Sequence, residues 1–215
     1  MKNFFIVFEG IDASGKTTQA ALLRDYFLRR NFKAVLTSEP SSGPIGNLIR
    51  EGMKRRVAFA EDEVAFDHQM AYLFAADRHD HLFNNVDGVF KLLNDGYIVI
   101  CTRYIFSSLA YQGEGSDFEF VKQLNERFPN PDLTIFLDSP VDVSIDRMSR
   151  RLVVDRYETR ERLVRVRTNY CEIFGQYKGV SLSLHGSAAI SEVHASIVAF
   201  IEKGFAQQHE NHRFD

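Results

Sequence analysis

Gly10-Ile11-Asp12-Ala13-Ser14-Gly15-Lys16-Thr17 is the stretch that decides how this 215-residue chain is read. It fits G-x-x-x-x-G-K-[ST], the pattern of a loop that holds phosphate. Glycines let the backbone curl, partly at positive φ, so that successive N–H groups converge on an anion. A helix starting at the loop adds the positive end of its dipole. Gly10, Ala13, Ser14 and Gly15 then supply the cradle. Lys16 reaches the outer phosphates, and the Thr17 hydroxyl ligates Mg²⁺. The flanks agree with the motif. Phe4-Phe5-Ile6-Val7-Phe8 is an apolar run of strand length, and Thr18 to Arg30 reads as a helix that can bury Ala21, Leu22, Phe27 and Leu28.

Working outward, strand and helix patterns alternate. Strands are predicted over 3–8, 34–37, 97–101, 133–137 and 180–184. Helices are predicted over 18–30, 45–53, 63–94 with a break near Asn84-Asn85, 104–112, 117–127, after Pro140, up to about Tyr177, and over 190–205. Apolar strands separated by helices imply a parallel sheet covered on both faces. The expected fold is therefore α/β: a P-loop NTPase three-layer α/β/α arrangement with a five-stranded parallel sheet and a short arginine-rich lid. One domain is expected over 1–206, with the lid at about 147–160 and a loose tail over 207–215. Ligands in such sheets sit at the carboxyl ends of the strands.

Composition removes several classes. The chain is 45% apolar and 26% charged with a net charge of −3, so it is no polycation for nucleic acid. No segment approaches the ~20 apolar residues of a membrane span. The five-residue apolar run before Glu9 is too short for a signal-peptide core. Cys101 and Cys171 lack metal-type spacing, and Cys101 reads as a small core residue in a strand. A reducing, cytoplasmic setting is expected. No N-K-x-D guanine motif is present, which argues against a GTPase switch.

Two further regions draw notice. Phe74 and Arg78 are four apart, so a helix puts them on one face, as it does Ser108 and Gln112. A ring beside a guanidinium suits a flat base and its edge or a phosphate; equally, Phe74 is core and Arg78 a solvated charge. Arg103 follows a strand end, where its fork of donors suits a phosphate. Between Arg147 and Arg167 there are eight arginines, Arg151 and Arg156 among them. A nucleic-acid patch would need aromatic stacking partners that are missing here. A solvated, salt-bridged helix and a lid that brings cations to a transferring phosphoryl group both remain.

These residues resemble the thymidylate kinases. The resemblance rests on Phe8-Glu9-Gly10-Ile11-Asp12 through Thr17-Thr18-Gln19, Glu39-Pro40, Phe74-Ala75-Ala76-Asp77-Arg78, Arg103-Tyr104-Ile105-Phe106-Ser107-Ser108-Leu109-Ala110-Tyr111-Gln112, Pro131-Asp132-Leu133 leading to Leu137-Asp138, and Asp155-Arg156-Tyr157-Glu158. It runs in order from residue 4 to about 177. It implies transfer of the γ-phosphoryl of ATP to dTMP with Mg²⁺, and a homodimer. It implies that Thr18 joins the ATP site, that Asp12 binds the acceptor's 3′-hydroxyl, and that Phe74 stacks on thymine with Arg78 touching the nucleotide. Tyr111 would face the deoxyribose, and Gln112 the N3–O4 edge. Glu39, Pro40, Arg50, Ser107 and Ser108 complete the acceptor set it implies. The neutral Ala13 and Ser14 leave the lid to supply a catalytic cation, from Arg151 or Arg156. Two positions depart from the pattern. Thr102 stands where the family usually has Asp, and Ser38 where it often has Arg. Glu9 and Asp138, at strand ends, are candidates to compensate at the metal. The departures leave two alternatives: a kinase for another deoxynucleotide or nucleoside, or a nucleotide-binding relative with weak or no turnover.

Overall fold

The computed structural model describes residues 3–115, 118–149 and 159–211. Five strands, β1 (Phe5–Glu9), β2 (Ala34–Ser38), β3 (Ile98–Thr102), β4 (Leu133–Asp138) and β5 (Ser181–His185), form one sheet in the order β2-β3-β1-β4-β5. All four pairings are parallel, as the alternating pattern predicts. β1 is central and every residue of it is buried, so the P-loop leaves the sheet from its most enclosed strand.

Side chains alternate across the pleat and sort into two cores. Phe5 and Val7, with Val99 and Cys101 beside them on β3, join Phe66, Met70, Tyr104 and Tyr170 on one face. Ile6 and Phe8, with Ile100 and Ile135, join Leu23, Phe27 and Ile197 on the other. The first face is covered by α2 (Pro44–Met53), α3 (Glu63–Phe83), α5 (Ile105–Gly115) and α8 (Arg160–Gln176); the second by α1 (Lys16–Leu28) and α9 (Ile190–Asn211). The short helices α4 (Val89–Asn94), α6 (Phe118–Asn125) and α7 (Val141–Met148) complete the chain. Each fully buried Phe or Leu contributes about 1.5–3 kcal/mol.

Local chemistry sets the helix ends. Asp62 caps α3 by accepting from the Ala65 N–H at 2.8 Å. α3 stops at Asn84, whose Oδ1 accepts from the N–H groups of Val86 (3.0 Å) and Asp87 (2.9 Å). That turn splits the predicted 63–94 segment where the break was expected. α9 runs on to Asn211, beyond the expected start of the tail. No proline follows Phe205, and Ala206, Gln207, Gln208 and Glu210 are good helix formers.

The arginine-rich stretch divides. Arg150 to Glu158, with the candidates Arg151 and Arg156 and most of the expected lid, lies outside the described residues. Two of the described arginines beyond it, Arg162 and Arg167, are committed elsewhere. Arg162 is buried, donating through Nη2 to both Asp67 oxygens (2.9 and 2.8 Å) and the Tyr111 carbonyl (2.9 Å), and through Nη1 to Glu63 (2.7 Å). It is a bolt between α8, α3 and α5, not a mobile cation. Arg167 holds Asp138 at 2.6 and 3.0 Å, so Asp138 is already paired.

Candidate active site

The P-loop takes the curled form its glycines allow. Gly10 (φ 142°), Ala13 (φ 57°) and Gly15 (φ 102°) all have positive φ, and α1 begins at Lys16. At Gly10 a Cβ would lie 2.6 Å from the Leu137 carbonyl oxygen, which only glycine avoids. Lys16 Nζ folds back to donate to the carbonyls of Gly10 (2.9 Å) and Ile11 (2.6 Å). Residues 12–18 line a cavity of about 450 Å³, with Thr17 and Thr18 exposed on the first turn of α1. Glu39, Thr102 and Arg103 close one side. Arg147, at the start of the expected lid, and Gly186, which pattern reading missed, also line the cavity. Arg147 donates to the carbonyls of Ala13 and Gly186, both at 3.1 Å, tying the P-loop to the turn after β5. That turn approaches closely enough for a Cβ on Gly186 to meet the Ser14 carbonyl at 3.0 Å.

Arg103 has a left-handed backbone (φ 70°), with its N–H on the Phe8 carbonyl at 2.9 Å. Its guanidinium pairs with Asp12 and donates to the Gly10 carbonyl (3.3 Å), Ser107 Oγ (3.2 Å) and the Tyr111 oxygen (3.3 Å). The Tyr111 hydroxyl donates to the other Asp12 oxygen at 2.8 Å. Burial alone would raise the Asp12 pKa; the charges of Arg103 and Lys16 outweigh it and hold the carboxyl below its usual value.

Asp12 and Arg103 also line a second, smaller cavity of about 50 Å³. Pro40, Met53 and Phe74 form its apolar walls; Ser107, Ser108, Tyr111 and Gln112 from α5 form its polar wall. Gln112 is buried and its Oε1 has no hydrogen-bond partner, so an acceptor stands open beside the slot. Arg78 lies behind this wall. It is 1% exposed, and Nε and Nη2 hold Glu39 Oε2 at 2.9 and 2.7 Å. Nη1 donates to Asn125 and Nη2 to Ser108 Oγ at 3.1 Å, so in this structure Arg78 meets the slot through Ser108. Arg50 donates to the carbonyls of Pro40 and Ser41, bracing the slot-lining turn from outside.

Glu9 departs from the expected metal-ligand role. It is fully buried, and four protein donors occupy it: the N–H groups of Tyr104 (2.8 Å) and Ser107 (3.2 Å) on Oε1, and the hydroxyls of Ser107 (2.7 Å) and Tyr170 (2.9 Å) on Oε2. Burial pushes its carboxyl pKa up, against the Ser107 hydrogen bond and the Arg103 charge. Glu9 joins β1 to α5 and α8. Among the described residues no group of three or more His, Cys, Asp or Glu is placed to hold a metal ion. The side-chain oxygens lining the large cavity belong to Asp12, Ser14, Thr17, Thr18, Gln19, Glu39 and Thr102, and only Asp12 and Glu39 among them are carboxylates. Both carboxylates are in ion pairs.

Comparison with known proteins decides the family. Residues 8–197 match the family described as thymidylate kinase. The chain belongs to the thymidylate kinase family. A probable thymidylate kinase from Pyrococcus abyssi is 38% identical over 204 residues, covering 94% of this chain and 97% of that relative. A putative thymidylate kinase from Treponema pallidum is 39% identical over 171 residues, covering 79% and 78%. A solved thymidylate kinase structure from Candida albicans superposes with a TM-score of 0.75 at 24% identity, covering 94% of this chain and 92% of that one, which confirms the fold. As a family member the protein is a phosphotransferase. Pattern reading found Phe74 and Arg78 on α3 but missed Asp77 and His81 on the same stripe. Both are buried and grip the turn after β2: Asp77 accepts from the Ser41 N–H and hydroxyl, each at 2.6 Å, and His81 Nδ1 lies 3.1 Å from Glu39 Oε1. The i, i+3, i+4, i+7 spacing of 74, 77, 78 and 81 was the available signal.

Proposed function

We propose that the protein transfers the γ-phosphoryl group of ATP to dTMP, giving ADP and dTDP. The observation that carries this is the meeting of two unlike cavities at one ion pair, Asp12–Arg103. The large cavity offers curled backbone, Lys16 and a helix N-terminus to a triphosphate. The slot offers a ring, Phe74, and an unpaired amide oxygen, Gln112, to a base. The transferring group then lies where the cavities join, and an oxygen of the acceptor phosphate attacks it in line as ADP leaves. Asp12 receives the sugar hydroxyl, Arg103 steadies the acceptor phosphate, and Tyr111 fixes Asp12. Lys16 exchanges its carbonyl contacts for the β- and γ-phosphates.

Thr17, exposed on the first turn of α1, fits the hydroxyl ligand of Mg²⁺; hard oxygen donors and phosphate oxygens are what that cation takes. Bound there, Mg²⁺ would neutralise phosphate charge. With Thr102 on the cavity wall, the chain itself supplies no carboxylate there outside an ion pair among the described residues. That observation favours the second reading, a relative with another acceptor or slow turnover. One assay separates the two: ADP release with dTMP, dUMP, dCMP and thymidine as acceptors. Release that depends on dTMP, is lost on chelation and returns with Mg²⁺ is expected. Release that favours another acceptor, or ignores all of them, overturns the reading.

A homodimer is part of the same proposal. Val64, Tyr72 and Phe83 on α3 are 50%, 58% and 46% exposed, an apolar stripe that a second copy would cover. Sedimentation equilibrium at micromolar protein checks it, with twice the chain mass expected. Among the described residues no helix is long and apolar enough to cross a membrane.

A further inference from the structure

We propose that His81 is a positioning residue for this reaction: it pins Glu39 against Arg78 and so keeps that carboxylate out of the phosphate path. Glu39 opens the turn that leaves β2, with its N–H on the Thr102 carbonyl at 3.0 Å, and it lines the large cavity. A carboxylate free to rotate there would face an incoming polyanion. Two groups prevent it. Arg78 holds Oε2 at 2.7 Å, and His81 Nδ1 holds Oε1 at 3.1 Å. His81 is 6% exposed and lines neither cavity, so it acts through Glu39 and not on a ligand.

The chemistry fixes the imidazole at both ends. A carboxylate paired with a guanidinium only accepts, so the Glu39 contact requires the proton on Nδ1. Nε2 meets the Thr37 hydroxyl on β2, accepting from it in the neutral ring and donating to it in the imidazolium. One ring therefore ties α3 to two points of the strand that carries Glu39. Asp77, one turn earlier, ties Ser41 through two hydrogen bonds of 2.6 Å. The turn bearing Pro40, a wall of the slot, is thereby held from the same helix that supplies Phe74.

The test rests on the dTMP kinase reading, and uses the two amides that imitate the two ring nitrogens. Asparagine replaces the Nδ1 donor; glutamine replaces the distal nitrogen. His81→Ala and His81→Gln should raise the KM for ATP and dTMP roughly tenfold with kcat within about threefold, because a released charge weakens binding of both anions. His81→Asn should restore both KM values to within about threefold. In a Glu39→Gln background, His81→Ala should change KM no further, since no charge is left to restrain. Equal kinetics for the Asn and Gln variants would overturn the proposal. So would unchanged KM in a folded His81→Ala protein. If His81→Ala does not fold, the Asn and Gln pair still decides. A wild-type enzyme that ignores dTMP sinks the function proposed above; an active wild type with indistinguishable variants sinks this inference alone.

Discussion

The two cavities are built by opposite means. The large one is made of backbone: three positive-φ residues, a helix start, and carbonyls that hold Lys16 until a ligand takes it. The slot is made of side chains from three helices and from the segments that follow β1, β2 and β3, and behind its wall lie buried charges. Backbone curvature needs few residue types and survives change elsewhere. A wall of side chains depends on what stands behind it, because each buried charge there must keep its partner. Damage to the P-loop should therefore abolish chemistry, whereas damage behind the slot should cost stability or binding first.

The largest effect should come from the one P-loop side chain that reaches for charge. Lys16→Met is expected to lower kcat/KM about a thousandfold or more with little change in Tm. Steady-state kinetics and a thermal melt on one preparation read both. Asp67→Ala should do the reverse. It takes from the buried Arg162 its two contacts to the one buried carboxylate beside it, leaving the exposed Glu63 and the Tyr111 carbonyl, and should cost about 3 kcal/mol in urea unfolding. Activity at 25 °C per folded molecule should fall far less. If Asp67→Ala proves as inactive as Lys16→Met while still folded, the division between the regions is wrong.

A milder pair of changes sharpens the comparison, one on the wall of each cavity. Gly186→Ala presses a methyl against the Ser14 carbonyl at 3.0 Å and should raise the KM for ATP several-fold, roughly 1 kcal/mol, leaving dTMP binding unchanged. Tyr111→Phe removes one hydrogen bond from Asp12 and should cost about 1 kcal/mol in kcat/KM. It also has a pH signature. The folded pKa of Asp12 lies below its unfolded value, so its stabilising contribution is full above the ordinary carboxylate range and disappears as pH falls through the depressed value. Removing the Tyr111 bond raises that folded value, so the acid limb of kcat/KM should move to higher pH.

The same division explains what could be read in advance. The sheet, its parallel pairing and the P-loop were legible because period, glycines and strand–loop–helix context are local. The break at Asn84 was legible for the same reason, since the capping amide sits in the segment it ends. Arg162 was not. Its partners, Glu63 and Asp67, are almost a hundred residues away, and a buried arginine looks like a solvated one until the fold joins them. Glu9 misled for a related reason: a carboxylate at a strand end suggests a metal, but its donors come from Tyr104, Ser107 and Tyr170. Asp77 and His81 were within reach, because the stripe that marked Phe74 and Arg78 includes both.

The central claim is that the backbone cradle takes the donor while the side-chain slot takes the acceptor, with Asp12–Arg103 between them. A crystal structure with dTMP and a non-hydrolysable ATP analogue bound together tests it most directly. The account predicts thymine against the Phe74 ring with Gln112 on its edge, and Lys16 Nζ moved from the Gly10 and Ile11 carbonyls to phosphate oxygens. Thymine bound outside the slot, or Lys16 still on those carbonyls with the triphosphate in place, would contradict it.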